Sequence, residues 1–563
     1  MLSRCLVALL VFFLLYLPLI CAAKKSMLVK MSKTQLFVEW QVDWTNQEVQ
    51  IDVKYRGNRP KWILVGFSDH GQIGGSDGCV YDGRQFALDV HLLPSGRIEK
   101  DRHQDCRLIR SNPKNMHFRF KRKFLTCDPR DYAIEFGTTN FIFAVGRTRQ
   151  YSIRPEHSEH IIRENSLLDP VVKAPPLPAD NHLFKMDITA QNVGIPAQVT
   201  SYWCQVMPVD ERILYRKHHA IEYAAIITPG NEHLVHHMEI FHCRENPGES
   251  YGGLCDNPEK PEKAKSCSKG AEPVVYPLDA GMPIGGKGFV PYVMVEIHYN
   301  NVHKEAGVVD NSGFRIIYTD QLREHDAAII ELGLIYSDAN SIPPGQASFP
   351  ITGHCVADCT QKFPQSGIKI FATQLHAHLT GRKLFTSHYR NGVKIGEINR
   401  DNHYSPHWQV VRSLPKHIHV LPGDVLSTTC VFDTTKRKNW TWGGYEIESE
   451  MCVNYVYYYP AGEVEVCKSA ISNNTLNTFF NKYIGKQHKS LQIHEKYLKL
   501  KQTQKMYDVV REWYATEPLN MGCLDHSGEL FKGQSWSSVP RPELFAGAYD
   551  KTSANFECPS IND

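Results

Sequence analysis

Gln35-Leu-Phe-Val-Glu-Trp-Gln-Val-Asp-Trp44 decides how the N-terminal region is read. Leu36, Val38, Trp40 and Val42 recur at every second position with mostly polar residues between them, the period of a strand with one buried face. The pattern continues outward. Val49-Gln-Ile-Asp-Val-Lys-Tyr55 alternates in the same way, and Trp62-Ile-Leu-Val-Gly-Phe67 is apolar throughout, as a strand covered on both faces would be. Gly74-Gly-Ser-Asp-Gly78 supplies turn residues, and Phe118-Arg-Phe-Lys-Arg-Lys-Phe124 and Phe141-Ile-Phe-Ala-Val145 close the region. Short strands between turns predict a β-sandwich over residues 34–149.

The residues upstream of it bear on the compartment. Arg4, the apolar run 6–20 and Cys21-Ala-Ala23 have the layout of a signal peptide over residues 1–23, and the run is short for a bilayer span. No membrane span is expected later in the sequence. The chain is expected in the secretory pathway, secreted or held in the lumen of the ER or secretory vesicles. Cysteine usage agrees: of 16 cysteines, Cys5 and Cys21 fall in the signal, and an even number remains for disulfides in an oxidising compartment. Asn439-Trp-Thr441 and Asn473-Asn-Thr475 are glycosylation sequons. A net charge of +3 over 563 residues gives no basic excess of the kind a nucleic-acid partner needs.

Beyond the sandwich, residues 150–180 are rich in proline and charge, with Pro175-Pro-Leu-Pro178, and read as a linker. Two β-rich segments follow, 181–310 and 325–485. Residues 486–563 change pattern: Leu491-Gln-Ile-His-Glu-Lys-Tyr-Leu-Lys-Leu500, on through Trp513, is charged with apolar residues at helical spacing. It predicts an amphipathic helix, packed on the body of the protein or used as a homodimer contact.

Three features in the β-rich segments carry chemistry. One is His236-His237-Met238 with His298 about sixty residues later, the second is His376-Ala377-His378, and the third is Met451 in Glu450-Met451-Cys452. Residues two apart on a strand share a face, so His376 and His378 can reach one metal. Adjacent His236 and His237 would point to opposite faces, so a shared ion requires a bulge or loop there. Each pair read alone is as readily two satisfied core or surface histidines, and Met451 alone as readily a core methionine. Neither cluster has the HExxH zinc-protease pattern. Imidazole suits copper, zinc or iron, and a thioether favours copper(I).

Several longer stretches settle between these readings. Gln374-Leu-His-Ala-His-Leu-Thr-Gly-Arg-Lys383, Asp401-Asn-His-Tyr-Ser-Pro-His407, Leu421-Pro-Gly-Asp-Val-Leu426 and Glu450-Met-Cys-Val-Asn-Tyr-Val456 resemble the second-copper half of the copper type II, ascorbate-dependent monooxygenases. Ser201-Tyr-Trp-Cys204 and Asn231-Glu-His-Leu-Val-His-His-Met-Glu239 resemble the first-copper half. The likeness is greatest to the dopamine β-hydroxylase-like branch, which carries an N-terminal DOMON domain. It implies a mainly β chain: a DOMON β-sandwich, two jelly-roll-like β-sandwich copper domains and a short helical C-terminal region tied back by disulfides. It implies a copper bound by His236, His237 and His298 that takes electrons from ascorbate and passes them across an open cleft between the two β-domains. A second copper, bound by His376, His378 and Met451, would be where O2 and substrate meet, with Tyr202 and His376 as active-site residues.

The resemblance further implies the pairings Cys204–Cys255, Cys243–Cys267, Cys355–Cys467, Cys359–Cys523, Cys430–Cys452 and Cys127–Cys558. Cys79 and Cys106 are then left to pair in the DOMON region. The implied reaction is hydroxylation of an aliphatic C–H bond. In the peptide-amidating relatives an arginine and an asparagine anchor a terminal carboxylate where Gln374 and Val453 stand here, leaving Tyr455. The expected substrate is therefore a small amine of phenylethylamine type, hydroxylated at its benzylic carbon. The alternatives are a peptidylglycine α-hydroxylase-like enzyme and a non-catalytic extracellular protein that binds copper or a DOMON ligand.

Overall fold

The computed structural model describes residues 24–547 apart from positions 85, 171, 173, 244, 272 and 302. The signal segment 1–23 and Cys558 lie outside the described residues. The described residues divide into two compact units, one ahead of residue 171 and one from residue 172 on.

The first unit is a sandwich of two antiparallel sheets. One orders Lys25–Lys30, Gln35–Asp43, Glu48–Arg56, His117–Lys123 and Arg107–Asn112, and the other Ser158–Asn165, Thr139–Gly146, Trp62–Ser68, Asp77–Tyr81, Ala87–Leu92 and Ile98–Lys100. Val38, Trp40, Ile51 and Phe120 of the first pack against Val65, Phe67, Phe141 and Phe143 of the second. Trp62, Leu64 and Ile142 face the other way into a second cluster with Ile153, which is why Trp62–Ser68 is buried along its whole length. The expected linker at 150–180 needs correction. Ser158–Asn165 is an edge strand of this sandwich, in register against Thr139–Gly146, and Leu167 is buried in the core. The sandwich also begins at Lys25, ahead of residue 34.

The second unit holds two sandwiches. The first has a six-stranded sheet built around Leu183–Thr189, Gly313–Thr319, Lys217–Ile226, Ala280–Gly285 and His325–Asp326, so its strands run past residue 310. Its five-stranded sheet orders Tyr251–Leu254, Thr200–Pro208, Tyr292–Asn300, Val235–Cys243 and Cys267–Ala271. The second sandwich has a six-stranded sheet ordered Arg412–Val420, Ile368–His376, Val453–Tyr459, Ala328–Leu334, Val464–Ile471 and Leu519–Asp525. Opposite it lie Phe349–Cys355, Val425–Phe432, Gly381–Arg390 and Val393–Asp401. The two sandwiches share a core: Phe371, Ala372, Tyr457 and Tyr459 of the second join Val274 and Tyr276 of the first, and the Tyr276 and Phe371 rings stand 5.4 Å apart. The metal candidates sit on sheets tied together by this core.

The C-terminal region is only partly helical. The single expected helix is two, Ile493–Lys499 and Gln504–Thr516, preceded by Asn473–Tyr483, and Tyr497, Val510 and Trp513 are buried against the second sandwich. Leu519–Asp525 then adds a strand beside Val464–Ile471. Disulfides join Cys79 to Cys106, Cys204 to Cys255, Cys243 to Cys267, Cys355 to Cys467, Cys359 to Cys523 and Cys430 to Cys452. Asn439 and Asn473 are both exposed. Among the described residues no helix is long and apolar enough to cross a membrane.

Candidate metal centres

The three-histidine cluster is assembled across three adjacent strands. His298 in Tyr292–Asn300 pairs in register with Tyr202 on one side and His237 on the other. The register slips between Val235 and His237, so His236 is an extra residue in the ladder. That bulge turns two neighbouring imidazoles toward one point, which a regular strand would not do. His236 Nδ1 lies 3.0 Å from His237 Nδ1, which lies 3.4 Å from His298 Nδ1. Two nitrogens each about 2.0 Å from one ion would subtend about 97° and about 116° at these separations, close to tetrahedral. The Tyr202 ring stacks on His298 with centroids 4.3 Å apart and fixes its plane.

These rings are held neutral. Burial, then the neighbouring His407, pulls His236 down to about 4. Burial and the adjacent imidazoles bring His298 to about 4 and take His237 well below the usual range. Lone pairs are thus available at neutral pH.

The second cluster forms where Ile368–His376 ends. His376 is the last residue of the strand and His378 lies in the turn beyond it, with ring centroids 5.2 Å apart. Three contacts that sequence reasoning missed shape this turn. The Tyr404 hydroxyl donates to the Ala377 carbonyl at 2.6 Å and accepts from the Ala377 N–H at 2.8 Å, clamping the residue between the two histidines. The Glu450 carboxylate accepts from the His378 N–H at 2.9 Å and from the Thr380 N–H and hydroxyl at 2.6 and 2.7 Å. His378 Nδ1 meets the Ser449 carbonyl at 3.0 Å, and the Glu446 backbone is a second partner of the ring. Val453 pairs in register with His376. Met451 therefore lies between Ser449 and Val453, each fixed to one of the histidines, and it is buried beside the Cys430–Cys452 bond. Burial, then His378, lowers His376 to about 3. The donors are imidazoles and a thioether, while the nearby carboxylate of Glu450 is spent on backbone and hydroxyl donors. That set fits copper better than a hard cation.

Where an open cleft is expected, side chains of the second sandwich come up to the first. His376 is close enough to His237 to oppose its protonation, and the His407 ring stands 5.7 Å from His236. Pro406, Trp408 and Val410 face Ala225, Val235 and Pro273 across a crevice of about 250 Å³. The reason is the segment 402–411, which leaves the second sandwich and reaches the three-histidine cluster.

Cross-strand pairing also arranges acids beside the histidines. Glu239 and Glu296 are direct register partners, two residues along from His237 and His298 and on the same face, about 7 Å further along the strands. Two carboxylates in that relation repel unless a cation or proton intervenes, and the Lys260 ammonium already draws Glu296 down against its burial. Burial, with Glu296 and Glu331 adding, pushes Glu239 up to about 7. Glu331 comes from the second sandwich, where His376, Gln374, Val453, Tyr455 and Glu331 share a face through successive register pairs. Glu331 is ion-paired with Lys468 and accepts from the Tyr336 hydroxyl at 3.1 Å. Adjacent His-x-Glu and Glu-x-His pairs, at 237–239 and 296–298, were the signal for the acid pair.

Residues 325–480 match the family described as copper type II ascorbate-dependent monooxygenase, C-terminal domain; residues 186–306 match its N-terminal domain and residues 32–146 the DOMON domain. The chain is 43% identical over 551 residues to the tyramine beta-hydroxylase of Caenorhabditis briggsae, covering 93% of each. It is 36% identical over 550 residues to the dopamine beta-hydroxylase of Bos taurus, covering 93% of this chain and 88% of the relative. It is 32% identical over 450 residues to DBH-like monooxygenase protein 1 of Homo sapiens, covering 76% and 72%. With both family halves matched around the two clusters, and relatives matched along most of the chain, this protein belongs to the copper type II ascorbate-dependent monooxygenases.

Proposed function

We propose that this chain hydroxylates the benzylic carbon of a cationic phenylethylamine, with O2 and with electrons from ascorbate. In this reading His236, His237 and His298 hold the copper that receives electrons, and His376, His378 and Met451 hold the copper at which O2 and substrate meet. Bound copper supplies one-electron transfer and O2 activation. The residues of the chain do the rest. Neutral imidazoles present their lone pairs, Tyr202 holds the plane of His298, and Tyr404 and Glu450 fix the turn between His376 and His378. The close approach of the two sandwiches shortens the path for electrons and keeps bulk water from the reacting carbon.

The acid pair is the observation that carries the choice of substrate. Glu239 and Glu296 oppose one another in register with Glu331 nearby, while Gln374 and Val453 offer no charge to a carboxylate. An ammonium group relieves the repulsion between the acids, whereas a carboxylate adds to it. The printed names of two relatives, tyramine and dopamine beta-hydroxylase, point to substrates of the same chemistry. The same reading puts the protein in the secretory lumen or outside the cell, with Tyr202 and His376 as catalytic residues and residues 24–168 as the DOMON unit.

The test is a side-by-side assay with ascorbate and copper, comparing tyramine and dopamine with a glycine-extended peptide. The amines should be hydroxylated and the peptide left unchanged, and Glu239→Gln should raise KM for the amines roughly tenfold or more. Efficient turnover of the peptide with neither amine used would replace this reading with a peptidylglycine α-hydroxylase.

A further inference from the structure

The loop that leads into Met451 also reaches the other ligands of the second cluster. Its base is closed by the Glu450 N–H, which donates to the Trp442 carbonyl at 2.7 Å, and by the Gly444 N–H, which donates to the Glu450 carbonyl at 3.1 Å. A turn from the Ser449 N–H to the Glu446 carbonyl, 2.9 Å long, shapes the returning side. The backbone of Glu446 and of Ser449 meets the His378 ring, so the loop lies against the second cluster. Its tip, Tyr445-Glu-Ile-Glu448, is exposed. Tyr445 is 75% exposed, yet its ring is not loose in solvent: it stands edge-on to the Tyr336 ring with centroids 4.6 Å apart. Gly443 permits this approach, because a Cβ there would run into the carbonyl oxygen of Ser337, the neighbour of Tyr336.

Tyr336 continues the path inward. It follows the strand Ala328–Leu334, its hydroxyl donates to Glu331 at 3.1 Å, and the Lys468 ammonium sits 3.7 Å from its ring centre. Its phenol also meets that of Tyr455, whose ring centre is 6.1 Å from that of His376. Tyr445, Tyr336, Tyr455 and His376 thus form a row of rings that runs from solvent to the second cluster. Glu331 flanks this row, close enough to oppose ionisation of both the Tyr445 phenol and the Glu239 carboxyl. A phenylethylamine has the matching parts in the same order, a ring and an ammonium joined by two carbons. With its ammonium among the acids, its ring extends toward the row, and the open face of Tyr445 is free to stack on it.

We propose that Tyr445 is a specificity-determining residue that stacks on the aromatic ring of the substrate, with Tyr336 behind it, so that the carbon between ring and ammonium is held at the second cluster. The role rests on the reading of the substrate as a phenylethylamine. The acids alone select any small cation and do not distinguish a phenylethylamine from an aliphatic amine. A ring-on-ring contact supplies that distinction, worth about tenfold in affinity. Because the same loop carries the backbone that meets His378, the ring is gripped at a fixed place relative to that ligand.

The experiment uses the full-length chain with copper and ascorbate, as parent, Tyr445→Ala and Tyr445→Phe. It measures kcat and KM for tyramine, and the inhibition constant of 3-butenylamine, which carries a vinyl group in place of the ring, as a competitor of tyramine. Tyr445→Ala should raise KM for tyramine about tenfold, with kcat and the 3-butenylamine constant within about twofold of the parent. Tyr445→Phe, which keeps the ring, should restore the parent KM. A second readout needs no turnover: tetranitromethane nitrates exposed tyrosines, and peptide mass mapping should show Tyr445 protected by 2-phenylethylamine and not by 3-butenylamine. A chelator competition should give one copper affinity at the second site in all three proteins, which a merely structural loop residue would not. An unchanged tyramine KM in Tyr445→Ala, equal weakening of both amines, or nitration of Tyr445 unaffected by 2-phenylethylamine would overturn the proposal and leave the amine reading standing. Failure of the parent chain to use tyramine would overturn the amine reading, and the role of Tyr445 with it.

Discussion

Glu450 is buried, carries no salt bridge among the described residues, and accepts three hydrogen bonds from His378 and Thr380. Burial pushes it up to about 7 against the pull of those donors. Its job is to fix the backbone that aims His378, so an amide should serve poorly. In Glu450→Gln one of the two oxygens becomes an NH2 group, which would face either the His378 N–H or the Thr380 donors. One donor pair would then be set against another. Copper affinity at the second site should fall ten- to a hundredfold, with the three-histidine site unaffected. A competition titration with a copper chelator measures both, and equal affinity in variant and parent would remove Glu450 from the account. At this scale the sequence is least legible. The histidines are visible as types and spacings, but neither the Tyr404 clamp nor the Glu450 bonds can be read from it, because their partners are backbone atoms brought together by folding.

At the scale of elements the legible part is what periodicity and adjacency force. Alternation marks Gln35–Asp43 and Glu48–Arg56, and continuous apolarity marks Trp62–Ser68, buried on both faces. The His-His pair demanded a break in strand regularity, and the register slips at His236. What misled was composition. Ser158–Asn165 reads as linker because its Glu, His and Arg residues blunt an exposed sheet edge, a place where charge is favoured. The break between Ile493–Lys499 and Gln504–Thr516 has no proline or glycine to announce it; Thr503 caps the second helix by accepting from the Met506 N–H. The Cys430–Cys452 bond supports one such element, since it ties the segment carrying Met451 to the strand Val425–Phe432. Replacing both cysteines with serine should cost about 3 kcal/mol of stability, given the short loop closed. It should also weaken copper binding at the second site ahead of the first. Thermal unfolding and site-resolved copper titration together test this, and uniform weakening at both sites would show the bond to be a general staple only.

Across the whole second unit, function depends on two sandwiches sharing one core. Phe371 and Tyr459 pack with Tyr276 and Val274, and the same union brings His376 within electrostatic reach of His237 and Glu331 within reach of Glu239. No single stretch of sequence contains this, because the partners lie far apart in the chain and meet only across the join. The central claim is that the join carries two distinct copper centres, one built on His236, His237 and His298 and one on His376, His378 and Met451. Copper stoichiometry tests it most directly, in the full-length chain titrated with copper while hydroxylation of tyramine is followed. The account predicts saturation at two coppers per chain with full activity only at the second, and one copper with no turnover in His298→Ala. Saturation of the parent chain at one copper, or full activity on reaching one, would contradict it.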